Sequence, residues 1–81
     1  MKIRVLLFAV LREKMQRDQV VCEVKEGETV LTLARKVLGS ILGDLPWQAS
    51  LLFAVNHEFA PRDYILKEGD EVALIPPVAG G

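Results

Sequence analysis

Apolar and polar residues alternate along several short stretches of the chain. In residues 2–10, Ile3, Val5, Leu7 and Ala9 fall on one face of an extended segment, which predicts a half-buried strand. The same period of two predicts a second strand at residues 19–25. The apolar runs at residues 51–56 and 71–75 predict two more strands, and a short strand is expected around Phe59. The sequence Asn56-His57-Glu58 suits a tight turn between two of these strands. The chain is therefore rich in short strands.

One segment has the spacing of a helix. Its apolar residues recur at i, i+3, i+4, i+7 and i+8, and they are Val30, Leu33, Ala34, Val37 and Leu38. Thr29 is placed to cap the first turn, and either Gly39 or Gly43 can end the helix. The polar residues 11–18 predict a helical turn or a wide loop. The order of elements predicts an α+β domain, in which one sheet packs one face against one main helix.

The opposite face of that sheet has no second helix to cover it. Leu6 and Phe8 of the first strand point to this face, and they share it with Ile75 if the first and last strands are neighbours. Exposed apolar patches of this kind usually mark surfaces that bind a partner. We therefore expect Leu6, Phe8 and Ile75 to contact another protein.

The chain ends in a segment with almost no side-chain chemistry, Pro76-Pro77-Val78-Ala79-Gly80-Gly81. Proline lacks a backbone N–H, so Pro76 and Pro77 should end the last strand at Ile75. We expect residues 1–75 to form the domain and residues 76–81 an extended tail, which reaches roughly 20 Å. The one reactive group in the tail is the terminal carboxylate of Gly81, and Gly80 lets the end enter a narrow channel. The alternative is an ordinary frayed terminus.

Composition narrows the possible functions. The chain has 81 residues, enough for one domain, and its net charge of −1 favours neither nucleic acid nor an anionic membrane as a partner. The chain has one cysteine, Cys22, which cannot form an internal disulfide, and one histidine, His57, which gives no metal-ligand spacing. We interpret Cys22 as a core residue, His57 as a solvated turn residue and Trp47 as a lid over the helix end. The absence of a signal peptide or a long apolar run predicts a cytoplasmic protein.

Several of these segments together resemble the ubiquitin-like β-grasp family, and within it the MoaD-type small subunit of molybdopterin synthase, a sulfur carrier. The segments that carry the resemblance are Ile3–Ala9 with Leu11-Arg12-Glu13, Gly27–Val30, Ala54-Val55-Asn56 and Glu68–Gly81. The Gly-Gly end is common to all ubiquitin-like carriers, whereas the run Gly-Asp-Glu-Val…Pro-Pro-Val-x-Gly-Gly is far more specific. The resemblance implies a mixed sheet of four to five strands packed on one main helix.

The resemblance also implies a chemistry for the tail. An adenylating enzyme similar to ubiquitin-activating enzymes would use ATP to join Gly81 to AMP, and a sulfur donor protein would convert it to a thiocarboxylate. No cofactor would be bound by the carrier itself. A large MoaE-type subunit would take up the tail in a heterotetramer, contacting Leu6, Phe8, Ile75, Pro76, Pro77 and Val78. Sulfur would pass to the pyranopterin precursor of the molybdenum cofactor.

Three alternatives stay open at this point. A sulfur carrier for thiamine synthesis or tRNA thiolation would use the same tail with a different acceptor. A ubiquitin-like protein modifier would join Gly81 to a lysine of a target protein. A plain interaction domain would have no use for the tail.

Overall fold

The computed structural model describes residues 1–77, and the tail residues 78–81 lie outside this range. Its strands are β1 (Lys2–Leu7), β2 (Gln19–Glu23), β3 (Leu52–Val55), β4 (Glu58–Ala60) and β5 (Glu71–Ile75). Its helices are α1 (Ala9–Met15), α2 (Val30–Leu38) and α3 (Ser40–Asp44), followed by a 3-10 helix at Gln48–Ser50.

All five strands form one mixed sheet in the order β2-β1-β5-β3-β4. β1 and β2 form an antiparallel hairpin, and β1 runs parallel to β5 at the centre of the sheet. β3 pairs antiparallel with both β5 and β4. The first and last strands are thus neighbours, as the shared outer face of Leu6 and Ile75 requires. The α+β fold with a mixed sheet is confirmed.

The main helix α2 begins where its sequence predicts and ends at the first of the two candidate glycines. The Thr29 hydroxyl accepts a hydrogen bond from the Thr32 backbone N–H at 3.2 Å, which caps the first turn. Gly39 has a φ of +56°, a backbone conformation that favours glycine, and its N–H donates to the Arg35 carbonyl at 2.9 Å. The helix therefore stops at Gly39, whereas Gly43 lies within the separate helix α3.

The core lies between α2 and the inner face of the sheet. The stripe residues of α2 that are buried there are Val30, Leu33, Ala34 and Leu38, and Val37 is half-buried. The inner side chains of the three central strands are buried opposite them, and they are Ile3, Val5, Leu7, Phe53, Val55, Val72 and Leu74. Trp47 is half-buried and packs on this core, and its position as a lid over the helix end stays a prediction.

The region after β1 differs from the sequence-based expectation. The strand predicted through residue 10 ends at Leu7, because Ala9 adopts a left-handed φ of +51° and starts a helix. α1 then covers Ala9–Met15 and buries Leu11 completely, where the polar composition predicted a helical turn or a loop. Ala9, expected to face inward from a strand, is exposed. α2 is still the longest helix described, and α1 and α3 are shorter.

Among residues 1–77, none of the helices has the length and apolar character needed to span a bilayer.

Candidate functional site

The outer face of the sheet carries a row of apolar side chains that runs across four strands. In the register of the strands Leu6 lies beside Ala73, Ala73 beside Ala54, and Ala54 beside Phe59. Residues opposite one another in adjacent strands point to the same face, so these four side chains form a continuous surface. The centre of the row is made of two alanines, and larger residues stand at its two ends.

We call the apolar residues that line one groove of this face the outer patch, and they are Leu6, Phe8, Ala54, Phe59, Ala73 and Ile75. The groove is open and has a volume of about 340 Å³. Phe8 is 45% exposed and Phe59 is 76% exposed, although both are large apolar residues. The structure therefore brings the predicted residues Leu6, Phe8 and Ile75 into one groove. Their contact with a partner protein stays a prediction.

Phe59 belongs to the outer patch, but reasoning from sequence did not assign it there. The signal was the two-residue turn before it. Asn56 and His57 both have left-handed φ values, +52° and +73°, as a tight hairpin turn requires. A two-residue turn fixes the register of β4 on β3, which places Phe59 opposite Ala54.

Charged residues border one end of the outer patch. Arg4 and Glu71 form an ion pair across β1 and β5. His57 lies on the other side of the same carboxylate, with its Nε2 3.8 Å from Glu71 Oε1. His57 is a turn residue with a side chain that is 85% exposed, as predicted, and it also lines the groove. The outer patch thus has a polar end at Glu71 and an apolar end at Ile75.

The position of Glu71 is set by a hydrogen-bonded cluster at the start of β5. Asn56 Nδ2 donates to Asp70 Oδ1 at 2.9 Å, and the Glu71 N–H donates to Asn56 Oδ1 at 3.0 Å. The Lys67 N–H donates to Asp70 Oδ2 at 2.8 Å. Asp70 is the one buried charged residue in the described part of the chain, and these donors satisfy it. The cluster joins the β3–β4 turn to β5.

The tail begins beside the apolar end of the outer patch. Ile75 is the last residue of β5, where it pairs with Leu52, and Pro76 and Pro77 follow it outside any strand. Both prolines are half-buried. Val78, Gly80 and Gly81 lie outside the described residues, so the roles predicted for them stay predictions.

The single thiol and the possible metal ligands within residues 1–77 can be placed in the structure. Cys22 is half-buried, and its burial raises the pKa of the thiol, which disfavours the reactive thiolate. No cluster of three or more His, Cys, Asp or Glu side chains within residues 1–77 is arranged to hold a metal ion. What this surface offers is an apolar groove next to the start of a chemically plain tail.

Comparison with known proteins decides the family. The ThiS family model matches residues 5–81, almost the whole chain. The chain belongs to the ThiS family. The molybdopterin synthase sulfur carrier subunit of Chlamydomonas reinhardtii is 35% identical to it over 83 residues, which cover 100% of both chains. The subunit of the same name from Dictyostelium discoideum is 37% identical over 86 residues, covering 99% of this chain and 96% of the relative.

Solved structures of other proteins superpose on this fold. A putative molybdopterin converting factor subunit 1 from Pyrococcus furiosus superposes with a TM-score of 0.81 at 28% identity, covering 96% of this chain and 99% of the other. A ubiquitin from Caldiarchaeum subterraneum superposes with a TM-score of 0.65 at 20% identity, covering 100% and 98%, and shows the shared fold alone. The ubiquitin-like β-grasp fold and the resemblance to sulfur carriers of the MoaD type are confirmed.

Proposed function

We propose that the chain is the sulfur carrier subunit of a molybdopterin synthase and that Gly81 carries the sulfur as a thiocarboxylate. The observation that carries this proposal is similarity over the whole chain, tail included, to relatives named as molybdopterin synthase sulfur carrier subunits. Those relatives do not favour a carrier for another pathway or a protein modifier. The exposed groove next to the tail supports the same function, because a carrier must present its end to other proteins.

Chemistry explains why such a carrier needs an activating enzyme. A carboxylate is a poor electrophile, because its negative charge repels nucleophiles and it has no good leaving group. Transfer of AMP from ATP to the Gly81 carboxylate releases pyrophosphate and creates a mixed anhydride. Sulfide released from the sulfur donor then attacks the Gly81 carbonyl carbon, AMP leaves with its bridging oxygen, and the terminus becomes a thiocarboxylate. Two such carriers are needed for the two sulfurs of one dithiolene.

We further propose that a large subunit of the MoaE type takes up the tail and binds the outer patch. A solved complex of subunits 1 and 2 of the molybdopterin-converting factor from Helicobacter pylori supports a partner of this kind. The matched chain of that complex is 23% identical, with a TM-score of 0.56 and full coverage of both chains. In this proposal Leu6, Phe8 and Ile75 bind the large subunit. Pro76 and Pro77 direct Val78 and the glycines into its active site, in a heterotetramer.

The same proposal assigns the remaining steps to other proteins. An adenylating enzyme related to ubiquitin-activating enzymes would consume the ATP, and a sulfur donor protein would supply the sulfur.

The test is tandem mass spectrometry after incubation with ATP, the adenylating enzyme and a sulfur source. Replacement of one oxygen by sulfur adds nearly the same mass as oxidation of a methionine, so fragmentation must locate the change on Gly81. We expect sulfur on Gly81, and none in a chain lacking Gly81 or in one extended beyond it. Sulfur loading of the extended chain would contradict the role of the terminal carboxylate. Failure of the unmodified chain, with an enzyme active on another carrier, would contradict the proposed function.

A further inference from the structure

The centre of the outer patch is a depression made by two small residues. Ala73 and Ala54 are neighbours in the register of β5 and β3, and each contributes only a methyl group to the outer face. Leu6 lies beside Ala73 on one side, and Phe59 lies beside Ala54 on the other. The groove of about 340 Å³ is thus walled by large side chains and floored by alanine methyl groups. Its shape suits one bulky side chain of a partner laid across Ala73.

One end of this depression offers an acceptor for a hydrogen bond. Glu71 pairs with Arg4 through Oε2, and its Oε1 lies 3.8 Å from His57 Nε2, beyond hydrogen-bond distance. None of the hydrogen bonds found among residues 1–77 uses Glu71 Oε1. The carboxylate side chain is 20% exposed, so it is reachable from the groove that it lines.

We propose that the large subunit inserts one tyrosine or tryptophan side chain into this depression, and that Ala73 selects for it. The ring would cover the Ala73 methyl group, and its O–H or N–H would donate a hydrogen bond to Glu71 Oε1. This inference rests on the proposed function, which supplies the large subunit as the partner. It makes Ala73 and Glu71 the residues that set the chemistry of the interface.

The two ends of the groove argue for an aromatic side chain with a polar tip. Tyrosine and tryptophan combine a large apolar body with one hydrogen-bond donor, which matches an apolar floor that ends at a carboxylate. A leucine or phenylalanine would exclude water from Glu71 Oε1 without donating a hydrogen bond to it, which is unfavourable for an oxygen of a charged group. A lysine or arginine would place its charge near Arg4, which already occupies the other oxygen of the carboxylate.

The first experiment fills the depression. The Ala73→Leu variant adds bulk on the open face of the sheet, so we expect the melting temperature to stay near that of the unmodified chain. We expect its affinity for the large subunit, measured by isothermal titration calorimetry, to fall roughly 30-fold, the loss typical of a central anchor. The matched control is Val21→Leu, which adds bulk to a residue that is 66% exposed on the same face but outside the outer patch. The control should bind as the unmodified chain does.

The second experiment identifies an aromatic ring directly. The methyl proton resonance of Ala73 is followed by NMR while the large subunit is added to the labelled carrier. A ring stacked on the methyl group shifts the resonance upfield, and an aliphatic side chain does not. An upfield shift supports the proposal, and a bound complex without one overturns it.

The third experiment tests the acceptor. Glu71→Gln keeps a side-chain carbonyl oxygen, whereas Glu71→Leu removes it, and both variants lose the ion pair with Arg4. We expect the Leu variant to bind the large subunit roughly tenfold more weakly than the Gln variant. Equal affinities would overturn the hydrogen bond, and normal binding by Ala73→Leu would overturn the pocket. Failure of the unmodified carrier to bind would instead overturn the proposed function itself, and this inference with it.

Discussion

Truncation of Phe8 gives a direct measure of how much the outer patch contributes to binding. Phe8 is 45% exposed in the free chain. An aromatic side chain offers about 200 Å² of surface, so the exposed part is about 90 Å², and burying it at about 25 cal/mol per Å² contributes about 2 kcal/mol. The Phe8→Ala variant should therefore bind the large subunit roughly 30-fold more weakly than the unmodified chain.

The assay is calorimetric titration of the large subunit with each carrier, well below the melting temperature of both. Phe8→Ala also removes the buried part of the side chain, so a melting curve must show that the variant is folded under the conditions used. The control is Val21→Ala. Val21 lies in β2 on the outer face of the sheet, where it is 66% exposed, and it is outside the outer patch. We expect no change in its affinity.

An affinity of folded Phe8→Ala within about threefold of the unmodified chain would refute this reasoning, because it would mean that Phe8 stays in water in the complex. Equal losses in Phe8→Ala and Val21→Ala would also refute it, since any exposed apolar residue on the sheet would then serve equally well.

Three further predictions concern stability. Thr29→Ala removes the cap on the Thr32 N–H and should lower the free energy of unfolding by about 1 kcal/mol, measured by urea titration; an unchanged midpoint would contradict the cap. Gln16 ends α1 with a left-handed φ of +56°, a backbone conformation that favours glycine. The Gln16→Gly variant should therefore raise the free energy of unfolding by about 0.5–1 kcal/mol in the same assay, and a lower free energy of unfolding would contradict this. The hydrogen bond from Lys36 lowers the pKa of Glu28 from its ordinary 4.5. The ionised Glu28 carboxylate therefore contributes fully to stability above pH 4.5, and this contribution is lost as the pH falls through the lower pKa of the folded state. Glu28→Gln should therefore flatten the fall in stability below about pH 5, and an unchanged pH profile would contradict this pairing.

Local patterns in the sequence were sufficient for the helix and most of the strands. Capping by Thr29 depends on neighbours within four residues, so it can be read from the chain alone. The sequence left the end of the helix open between Gly39 and Gly43, and the structure decided it in favour of Gly39. The turn at Asn56 and His57 is equally local, because a two-residue hairpin needs residues that tolerate a left-handed backbone.

The segment after β1 shows where a local pattern is ambiguous. Its alternating apolar residues predicted a strand through residue 10, but the chain turns at Ala9 and forms α1. The turn lets Leu11 reach the core, where it is completely buried. Burial against distant parts of the chain, which no short window contains, outweighs the preference of the segment for an extended strand.

The candidate site divides in the same way. The sequence by itself determined which side chains of β1 and β5 face away from the core, because alternation along a strand is a property of the strand alone. Only the tertiary structure decided that β1 lies beside β5 and β5 beside β3. That order brings Phe59, Ala73 and the charged end at Glu71 into one groove with Phe8. Strand order depends on how residues far apart in the chain bury the helix and one another, so it emerges only when the whole domain has folded.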